Sequence, residues 1–220
     1  MTASRACASS EAAAPGRHAS PPPHIQLLAN LWQTVDPRRG HPGGGPVELD
    51  LGCGTGGFTL ALARRHPDRL VIGTDVQLGR LRRVQNVARQ GGVRNLELMR
   101  VNSLELLGYM LPDASVHRLH LLCPDPWPKA RHRAKRLATA AFFTHVARVL
   151  EPGGVLHLAT DHAPYLESQQ AAVAELPFFQ PDPGAIADLA GIETDFERKW
   201  KAHGKPVPHL AYRRLAEPVA

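Results

Sequence analysis

Short apolar runs alternate with segments of helical periodicity from residue 47 to residue 176 of this 220-residue chain. Turn residues bound each apolar run, and glycine or proline follows each helical segment. Alternation at this spacing predicts a mostly parallel sheet with helices on both faces. Ligands of such sheets bind beyond the carboxyl ends of the strands, so the residues that follow each strand are the candidates for a functional site.

The predicted elements lie after residue 23. Strands are predicted at Val47–Leu51, Leu70–Thr74, Leu96–Val101, Val116–Leu122 and Val155–Ala159, with a less clear one at Val207–Leu215. Helices are predicted at Ile25–Val35, Gly57–Arg65, Leu78–Arg89, Ser103–Met110 (capped by Ser103), Leu137–Leu150 and Pro164–Leu176. Residues 1 to 23 are rich in Ala, Ser and Pro and are predicted to be a disordered tail, which leaves residues 24 to 220 as one domain.

The composition is that of an ordinary globular protein, with 43% apolar residues. It contains no stretch long enough for a membrane helix or a signal peptide, so we expect a cytoplasmic protein.

The three cysteines, Cys7, Cys53 and Cys123, are far apart, which argues against a zinc site or a disulfide framework. A net charge of +6 and a pI of about 9.6 are compatible with a nucleic-acid partner, although many basic proteins bind none.

A glycine-rich turn follows the first predicted strand, with glycines at Gly52, Gly54 and Gly56. Glycine permits positive φ and close approach of the backbone to a ligand, and the next helix offers free N–H groups to an anion. With Gly57 the spacing also matches a dinucleotide fingerprint. A tight turn that binds no ligand would use the same residues.

Polar side chains at the ends of the first three strands separate these alternatives. A carboxylate at Asp50 would repel a pyrophosphate and attract an ammonium group. Asp75 can accept both hydroxyls of a ribose, and Asn102 can hydrogen-bond an adenine edge. These features favour S-adenosylmethionine over NAD as the cofactor. The predicted cofactor-binding residues are Asp50, Gly52, Gly54, Gly56, Asp75 and Asn102.

The segment Pro124-Asp125-Pro126-Trp127-Pro128-Lys129 follows the fourth predicted strand. Its prolines make it stiff, so that it can hold a carboxylate, an indole ring and an ammonium group in a constant relation. A rigid surface turn without chemistry is the alternative. Trp127 either stacks on a target base or, as we favour, packs beneath the loop. Five of the eight residues from 129 to 136 are Lys or Arg, and beside this segment they are predicted to contact phosphates.

Two later segments carry polar residues with a simpler structural explanation. Asp161 ends the fifth predicted strand, where it caps the next helix, contacts a substrate or does both. Thr194 and Glu197 have the spacing of a capping box at a helix start, and spacing alone favours that interpretation.

The proline-rich segment, followed by Arg131-His132 and Lys135-Arg136-Leu137, strongly resembles the tRNA (guanine-N7-)-methyltransferase family. The resemblance extends from about Gly45 to Leu215. Further segments similar to family motifs are Ala159-Thr160-Asp161 with Pro164-Tyr165, Thr194-x-Phe196-Glu197, and Tyr212-Arg213-Arg214. The proline-rich segment is specific to the family, whereas the glycine turn is not.

The resemblance implies a Rossmann-like class I methyltransferase fold, an α/β architecture whose seven-stranded, mostly parallel sheet ends in an antiparallel strand. It implies methyl transfer from S-adenosylmethionine to N7 of a guanine in the variable loop of tRNA. Asp125 is implied to be both catalytic and cofactor-binding. The implied substrate-binding residues are Lys129, Arg131, Asp161, Thr194, Asp195, Phe196 and Glu197. The partner is tRNA, without an obligate protein partner, and the protein acts as a monomer or homodimer.

The chain departs from the family pattern at three places. Asn102 stands where an acid is usual, Asp195 stands where a basic residue is common, and a basic N-terminal arm is absent. Two other functions stay open: a methyltransferase of small molecules or proteins, for which the basic segment would have no use, and a non-catalytic cofactor-binding RNA scaffold, which Asn102 and Asp195 would fit.

The chemistry of guanine N7 sets the expected role of Asp125. N7 carries an in-plane lone pair and no proton, so its methylation requires alignment and needs no general base. The purine becomes positively charged, and carboxylates at Asp125 and Asp161 would stabilise that charge where it develops. Asp125 is therefore predicted to position and to stabilise charge more than to accept a proton.

Overall fold

A computed structural model describes residues 23–28, 30, 32–37 and 44–216. The predicted tail, residues 1 to 23, lies outside the described residues except for Pro23. None of the described helices is long and apolar enough to cross a membrane.

The described residues contain eight strands that form one sheet. The strands are β1 (Ile25–Leu27), β2 (Val47–Leu51), β3 (Leu70–Asp75), β4 (Leu96–Arg100), β5 (Val116–Leu122), β6 (Leu150–Ala159), β7 (Phe179–Pro181) and β8 (His209–Arg214). Their order is β1-β4-β3-β2-β5-β6-β8-β7. The first six run parallel, and β8 is antiparallel to β6 and β7. The α/β fold with a mostly parallel sheet and an antiparallel last strand is confirmed, with one strand more than predicted.

Five of the six predicted helices begin at or near their predicted residues, and a further helix begins at Asp195. They are α1 (Gly57–Arg65), α2 (Leu78–Gln90), α3 (Ser103–Glu105), α4 (Ala140–Val149), α5 (Ala163–Ala174) and α6 (Asp195–Ala202). α3 is capped by Asn102, whose Oδ1 accepts from the Leu104 N–H at 2.9 Å, so the prediction of Ser103 as the cap is wrong by one residue. α4 starts three residues later than predicted because the Thr139 hydroxyl caps it.

The segment from residue 25 to residue 35, predicted as a helix, is not helical in its described part. Ile25–Leu27 pairs with β4 as a parallel edge strand, and it covers backbone groups that would otherwise be an open edge. Val35 is buried, and its N–H donates to the Met110 carbonyl at 2.9 Å. Trp32, by contrast, is 90% exposed. The apolar spacing therefore reflects two separate tertiary contacts, and pairing with the sheet overrides the local periodicity.

Two apolar layers cover the two faces of the sheet. One includes Phe142, Phe143 and Val146 of α4, and the other includes Phe58 and Leu62 of α1. Side chains alternate along a strand, so in β2 the apolar residues face the first layer while the acids between them face α1. The fold thereby places a buried carboxylate beside the start of α1.

Candidate active site

The carboxyl ends of β2, β3 and β5 open into two adjoining clefts. The first, of about 290 Å³, is lined by Asp50, the glycine turn, Asp125 and residues 194 to 196. The second, of about 360 Å³, is lined by Asp75 and Asp125, among others. Asp125 and Gly52 border both clefts. The structure therefore brings together residues that lie in four separate parts of the sequence.

The glycine turn has the backbone conformation that its sequence predicts. Gly54 and Gly56 have φ of +56° and +84°, in the left-handed region that L side chains rarely adopt. A Cβ at Gly56 would also lie 2.6 Å from the Val84 side chain, so close packing of α1 on α2 requires a glycine there. The Gly54 N–H donates to Asp75 Oδ2 at 3.2 Å, which ties the turn to the end of β3.

Asp50 is a buried carboxylate at the wall of the first cleft. It is 3% exposed and accepts a hydrogen bond of 2.5 Å from the Thr59 hydroxyl. Burial raises its pKa, and the Thr59 bond and the nearby His120 only partly oppose that effect. A cationic group in the cleft would offset the cost of this buried charge.

Asp75 organises the boundary between the two clefts. Its Oδ1 accepts from the Gln77 N–H at 2.7 Å, and its Oδ2 accepts from Arg80 at 3.3 Å as well as from the glycine turn. Arg80 is 47% exposed on its side chain and lines both clefts. Sequence analysis missed Arg80 because it lies inside a helical segment with no motif around it.

Asn102 lies outside these two clefts. It borders a third cleft of about 280 Å³ together with Leu27, Val76 and Arg100. Its amide oxygen caps α3, so one of the two groups expected to bind an adenine edge already has a backbone partner. The predicted contact with adenine stays a prediction.

The backbone around Asp125 is held in an unusual conformation. Cys123 and Trp127 have φ of +49° and +41°, which is uncommon for residues other than glycine and concentrates at functional sites. Arg136 braces the segment, because its Nε donates to the Pro126 carbonyl at 2.8 Å and its guanidinium packs 4.8 Å from the Tyr165 ring centre. Asp125 itself is exposed.

We predicted that Trp127 packs beneath the loop as part of the core, but it belongs to neither apolar layer of the sheet. Its half-buried ring lines the second cleft, meets His132 edge-on with 5.7 Å between ring centres, and has the Lys135 ammonium 4.8 Å from its own ring centre. The neighbouring cations Lys129, Arg131, Arg133 and Lys135 are exposed, whereas Arg136 is half-buried in its bracing role. The free positive charge of the segment therefore comes from the residues before Arg136.

The start of α6 forms the opposite wall of the first cleft. The Thr194 hydroxyl accepts from the Glu197 N–H at 2.9 Å, so the predicted helix start is confirmed. The Asp195 carboxylate accepts hydrogen bonds from the Thr55 hydroxyl and from Arg198. These bonds lower its pKa even though burial acts in the opposite direction. Phe196 is 40% exposed at the cleft.

The Cys123 thiol lies among acidic groups at the end of β5. Burial, together with the nearby carboxylates of Asp161 and Glu197, raises its pKa to about 12, so it stays protonated and is a poor nucleophile. Asp161 is half-buried, and it does not cap α5. The cap is His162, whose Nδ1 accepts from the Tyr165 N–H at 3.1 Å. The capping alternative for Asp161 is therefore wrong.

Comparison with known proteins places the chain in a family. Residues 44–210 match a family model described as a putative methyltransferase. The tRNA (guanine-N(7)-)-methyltransferase of Magnetococcus marinus is 37% identical over 172 residues, which cover 76% of this chain and 68% of that protein. The chain belongs to the tRNA (guanine-N7-)-methyltransferase family.

For two other members of the family, the match covers a smaller share of the relative's own length. The relative of the same name from Sodalis glossinidius is 40% identical over 135 residues, 61% of this chain and 56% of that protein. The one from Mycobacterium avium is 36% identical over 172 residues, 77% of this chain and 66% of that protein. The chain thus spans between half and two thirds of the length of these two relatives.

Solved structures support the same fold. The 16S rRNA methyltransferase KamB matches with a TM-score of 0.55 at 21% identity, over 77% of this chain and 88% of that one. The aminoglycoside resistance methyltransferase NpmB1 matches with a TM-score of 0.54 at 18% identity, over 84% of this chain and 95% of that one. These matches confirm the Rossmann-like methyltransferase fold predicted for the chain.

Proposed function

We propose that this protein transfers a methyl group from S-adenosylmethionine to N7 of a guanine in the variable loop of tRNA. The observation that carries the proposal is one cleft that joins Asp50, the glycine turn, Asp125 and the start of α6, with exposed cations of the basic segment beside it. The names of relatives that are 36 to 40% identical support the same reaction.

The residues of the clefts fit S-adenosylmethionine. Asp50 would hold its ammonium group, since a buried carboxylate with a raised pKa gains most from a cationic partner. Asp75 would accept the ribose hydroxyls, and Asn102 would border the adenine. Gly52, Gly54 and Gly56 let the turn approach the ligand closely. When bound, the cofactor supplies the methyl group on a positively charged sulfur.

Asp125 stands between the two clefts as an exposed carboxylate on a braced segment. Because guanine N7 has no proton to lose, Asp125 acts by orienting the base and by stabilising the positive charge that the purine gains. Asp161, half-buried near Cys123 at the end of the neighbouring strand, adds to the same negative potential.

The substrate side of the proposal rests on charge and exposure. Lys129 and Arg131 are exposed and would contact tRNA phosphates. Thr194, Asp195, Phe196 and Glu197 would form the wall against which the target nucleotide lies, with Phe196 offering an exposed ring. We place the protein in the cytoplasm with tRNA, acting as a monomer or homodimer without an obligate protein partner.

A methyl-transfer assay tests the proposal. The protein is incubated with undermodified tRNA and cofactor carrying a labelled methyl group, and the modified base is mapped. Label at N7 of a variable-loop guanine supports the proposal. Label confined to small molecules or proteins, or tRNA that binds but stays unlabelled, contradicts it and favours one of the two other functions.

A further inference from the structure

Three histidines and two glutamates form an unbroken hydrogen-bonded chain across the sheet, which we call the histidine chain. Glu48 Oε2 lies 2.8 Å from His120 Nε2, and His120 Nδ1 lies 2.9 Å from His157 Nδ1. His157 Nε2 lies 2.8 Å from His209 Nδ1, and His209 Nε2 lies 3.0 Å from Glu197 Oε1. All six ring nitrogens are thus engaged within the chain.

The two ends of the histidine chain have different surroundings. Glu48, on β2, is fully buried and pairs with the guanidinium groups of Arg69 and Arg118. Glu197 lies in the first turn of α6, whose Thr194, Asp195 and Phe196 line the first cleft. The chain therefore links the buried centre of the sheet to a wall of the candidate active site.

Counting protons shows that the chain cannot consist of neutral imidazoles and carboxylates alone. Its four hydrogen bonds require four protons, one between each pair of heavy atoms. Each neutral imidazole carries one N–H, and a carboxylate carries none, so the three histidines supply only three. One additional proton must reside in the chain. No group of three or more metal-ligating side chains among the described residues is arranged to hold a cation instead.

Burial decides where the additional proton resides. His157 disfavours it, because burial and the neighbouring His120 and His209 lower its pKa well below the usual value. Glu48 disfavours it too: burial would raise its pKa, but the contact with His120 first of all, and then those with Arg118 and Arg69, outweigh burial and lower the pKa to about 2. A charge on His120 would be fully buried, beside the guanidinium groups of Arg69 and Arg118 that Glu48 shares with Asp188.

His209 is the most favourable site for the charge. Its side chain is 26% exposed, so it retains part of its hydration, and it contacts the Glu197 carboxylate directly. A cavity of about 250 Å³, lined by His157, Glu197 and His209, gives this end of the chain a route for proton exchange. Protonation of Glu197 itself is opposed by the Lys201 ammonium, 3.3 Å from its carboxylate.

We propose that the histidine chain is a positioning device for α6, in which an imidazolium at His209 holds Glu197 and so sets the wall of the cleft. Its effect on methyl transfer rests on the proposed function, whereas its protonation does not. His209, His157 and His120 are positioning residues, since they act through Glu197.

Loss of the additional proton leaves four links with three protons, so one link must break. Glu197 is also faced by Lys201 on α6, whose nearer partner is Glu193, and by the Cys123 thiol at the end of β5, while His209 is faced by His157. Because Lys201 stays available to Glu197, the weakest link is that between His209 and Glu197. Raising the pH therefore loosens the start of α6.

Nuclear magnetic resonance of the full chain with ¹⁵N-labelled histidine tests the protonation directly. At pH 6 we expect two protonated ring nitrogens at His209 and one at His157, with the His209 signals assigned from their absence in His209→Gln. Neutral His209 at pH 6 would overturn the proposal, wherever else the proton lies and whatever reaction the protein catalyses.

Binding and turnover test the positioning role. His209→Leu, which cannot hydrogen-bond, should raise KM for tRNA or Kd for S-adenosylmethionine roughly tenfold, with a smaller effect on kcat. In His209→Gln the amide carries two N–H groups, so it completes the proton count without an ionisable group, and KM should regain its wild-type value and no longer rise with pH. The matched control His117→Gln removes a histidine–carboxylate pair outside the chain and should behave as wild type.

Each outcome separates the inference from the proposed function. Wild-type binding and an unchanged pH profile in His209→Leu would overturn the positioning role even if tRNA is methylated. If no substrate is methylated, the pH dependence of S-adenosylmethionine binding measured by calorimetry still decides the matter, with a flat dependence in the wild type counting against the proposal.

Discussion

The carboxylate of Asp195, at the first residue of α6, accepts a hydrogen bond from the hydroxyl of Thr55 in the glycine turn, across 140 positions of sequence. The same carboxylate accepts from the Gly57 N–H at the start of α1. A helix N-terminus favours anions, so Asp195 occupies a place where an acidic group of a ligand would also bind. The contact connects the proposed substrate wall to the proposed cofactor turn.

Asp195→Ala should change cofactor affinity and stability in opposite directions. Removing the carboxylate leaves the α1 N-terminus free for the carboxylate of S-adenosylmethionine, so the Kd of the cofactor should fall several-fold. The free energy of unfolding should fall by about 1 kcal/mol, because a half-exposed ion pair and a favourable helix-terminal charge are removed. Calorimetry and chemical denaturation measure the two quantities. Arg198→Gln, which keeps the carboxylate, should leave the Kd unchanged, and an equal gain in affinity there would contradict the interpretation.

Asp50→Asn should weaken cofactor binding and stabilise the fold at neutral pH. The amide keeps a partner for Thr59 but cannot pair with an ammonium group. The pKa of Asp50 is raised in the folded state, so its stabilising contribution is complete below the ordinary value of 3.8 and is lost as the pH rises through the raised value. Denaturation between pH 4 and pH 8 should therefore show a smaller loss of stability in Asp50→Asn than in the wild type. A steeper loss of stability in Asp50→Asn than in the wild type would show that burial of the ionised Asp50 carboxylate does not destabilise the fold.

Glu48→Gln should destabilise the protein strongly. The substitution leaves one carboxylate, that of Asp188, to pair with both Arg118 and Arg69, and an excess buried charge of this kind costs about 3 kcal/mol. The pKa of Glu48 is lowered to about 2, so its contribution is complete above the ordinary value of 4.5 and disappears as the pH falls through about 2. Urea denaturation at pH 7 and at pH 2.5 checks both statements. A difference between variant and wild type that does not shrink on acidification would argue against the ion-pair explanation.

Asp125→Asn should abolish most methyl transfer while the fold stays intact. Loss of one group that stabilises transition-state charge typically reduces kcat by about 10² to 10³-fold. Asp125 is exposed, and the braces of its segment come from Arg136 and Tyr165, so the melting temperature should change little. Single-turnover kinetics and thermal denaturation provide the comparison. Near-wild-type turnover in this variant would remove Asp125 from the mechanism.

Neutralising the exposed cations should weaken tRNA binding and make the binding constant less dependent on salt concentration. The triple variant Arg131→Gln, Arg133→Gln and Lys135→Gln should reduce the slope of log K against log salt by about 0.7 to 0.9 for each phosphate that the variant no longer neutralises. Arg136→Gln should behave differently, since Arg136 braces Pro126 and its removal should lower stability and turnover while the slope changes little. Filter-binding titrations at several salt concentrations measure the slope. An unchanged slope in the triple variant would place the RNA interface elsewhere.

Local sequence patterns were sufficient to predict those elements whose structure depends on residues a few positions away. The glycine turn, the start of α6 at Thr194 and strand β5 followed from turn residues, capping and apolar runs, and each is present in the structure. The family resemblance added the identity of the Asp125 segment. Local patterns failed for Ile25–Leu27, where an apolar spacing typical of a helix serves an edge strand that pairs with β4.

The sequence by itself determined the alternation of strands and helices, and with it the sheet edge at which Asp50, Asp75 and Asp125 meet. Those features depend on periodicity and on turn residues a few positions apart. Only the tertiary structure decided that Glu48 and Glu197 are joined by three histidines and that Asp195 closes on Thr55. The reason is physical: a buried hydrogen bond exists only where two strands or helices bring donor and acceptor within about 3 Å, and no local pattern encodes that distance.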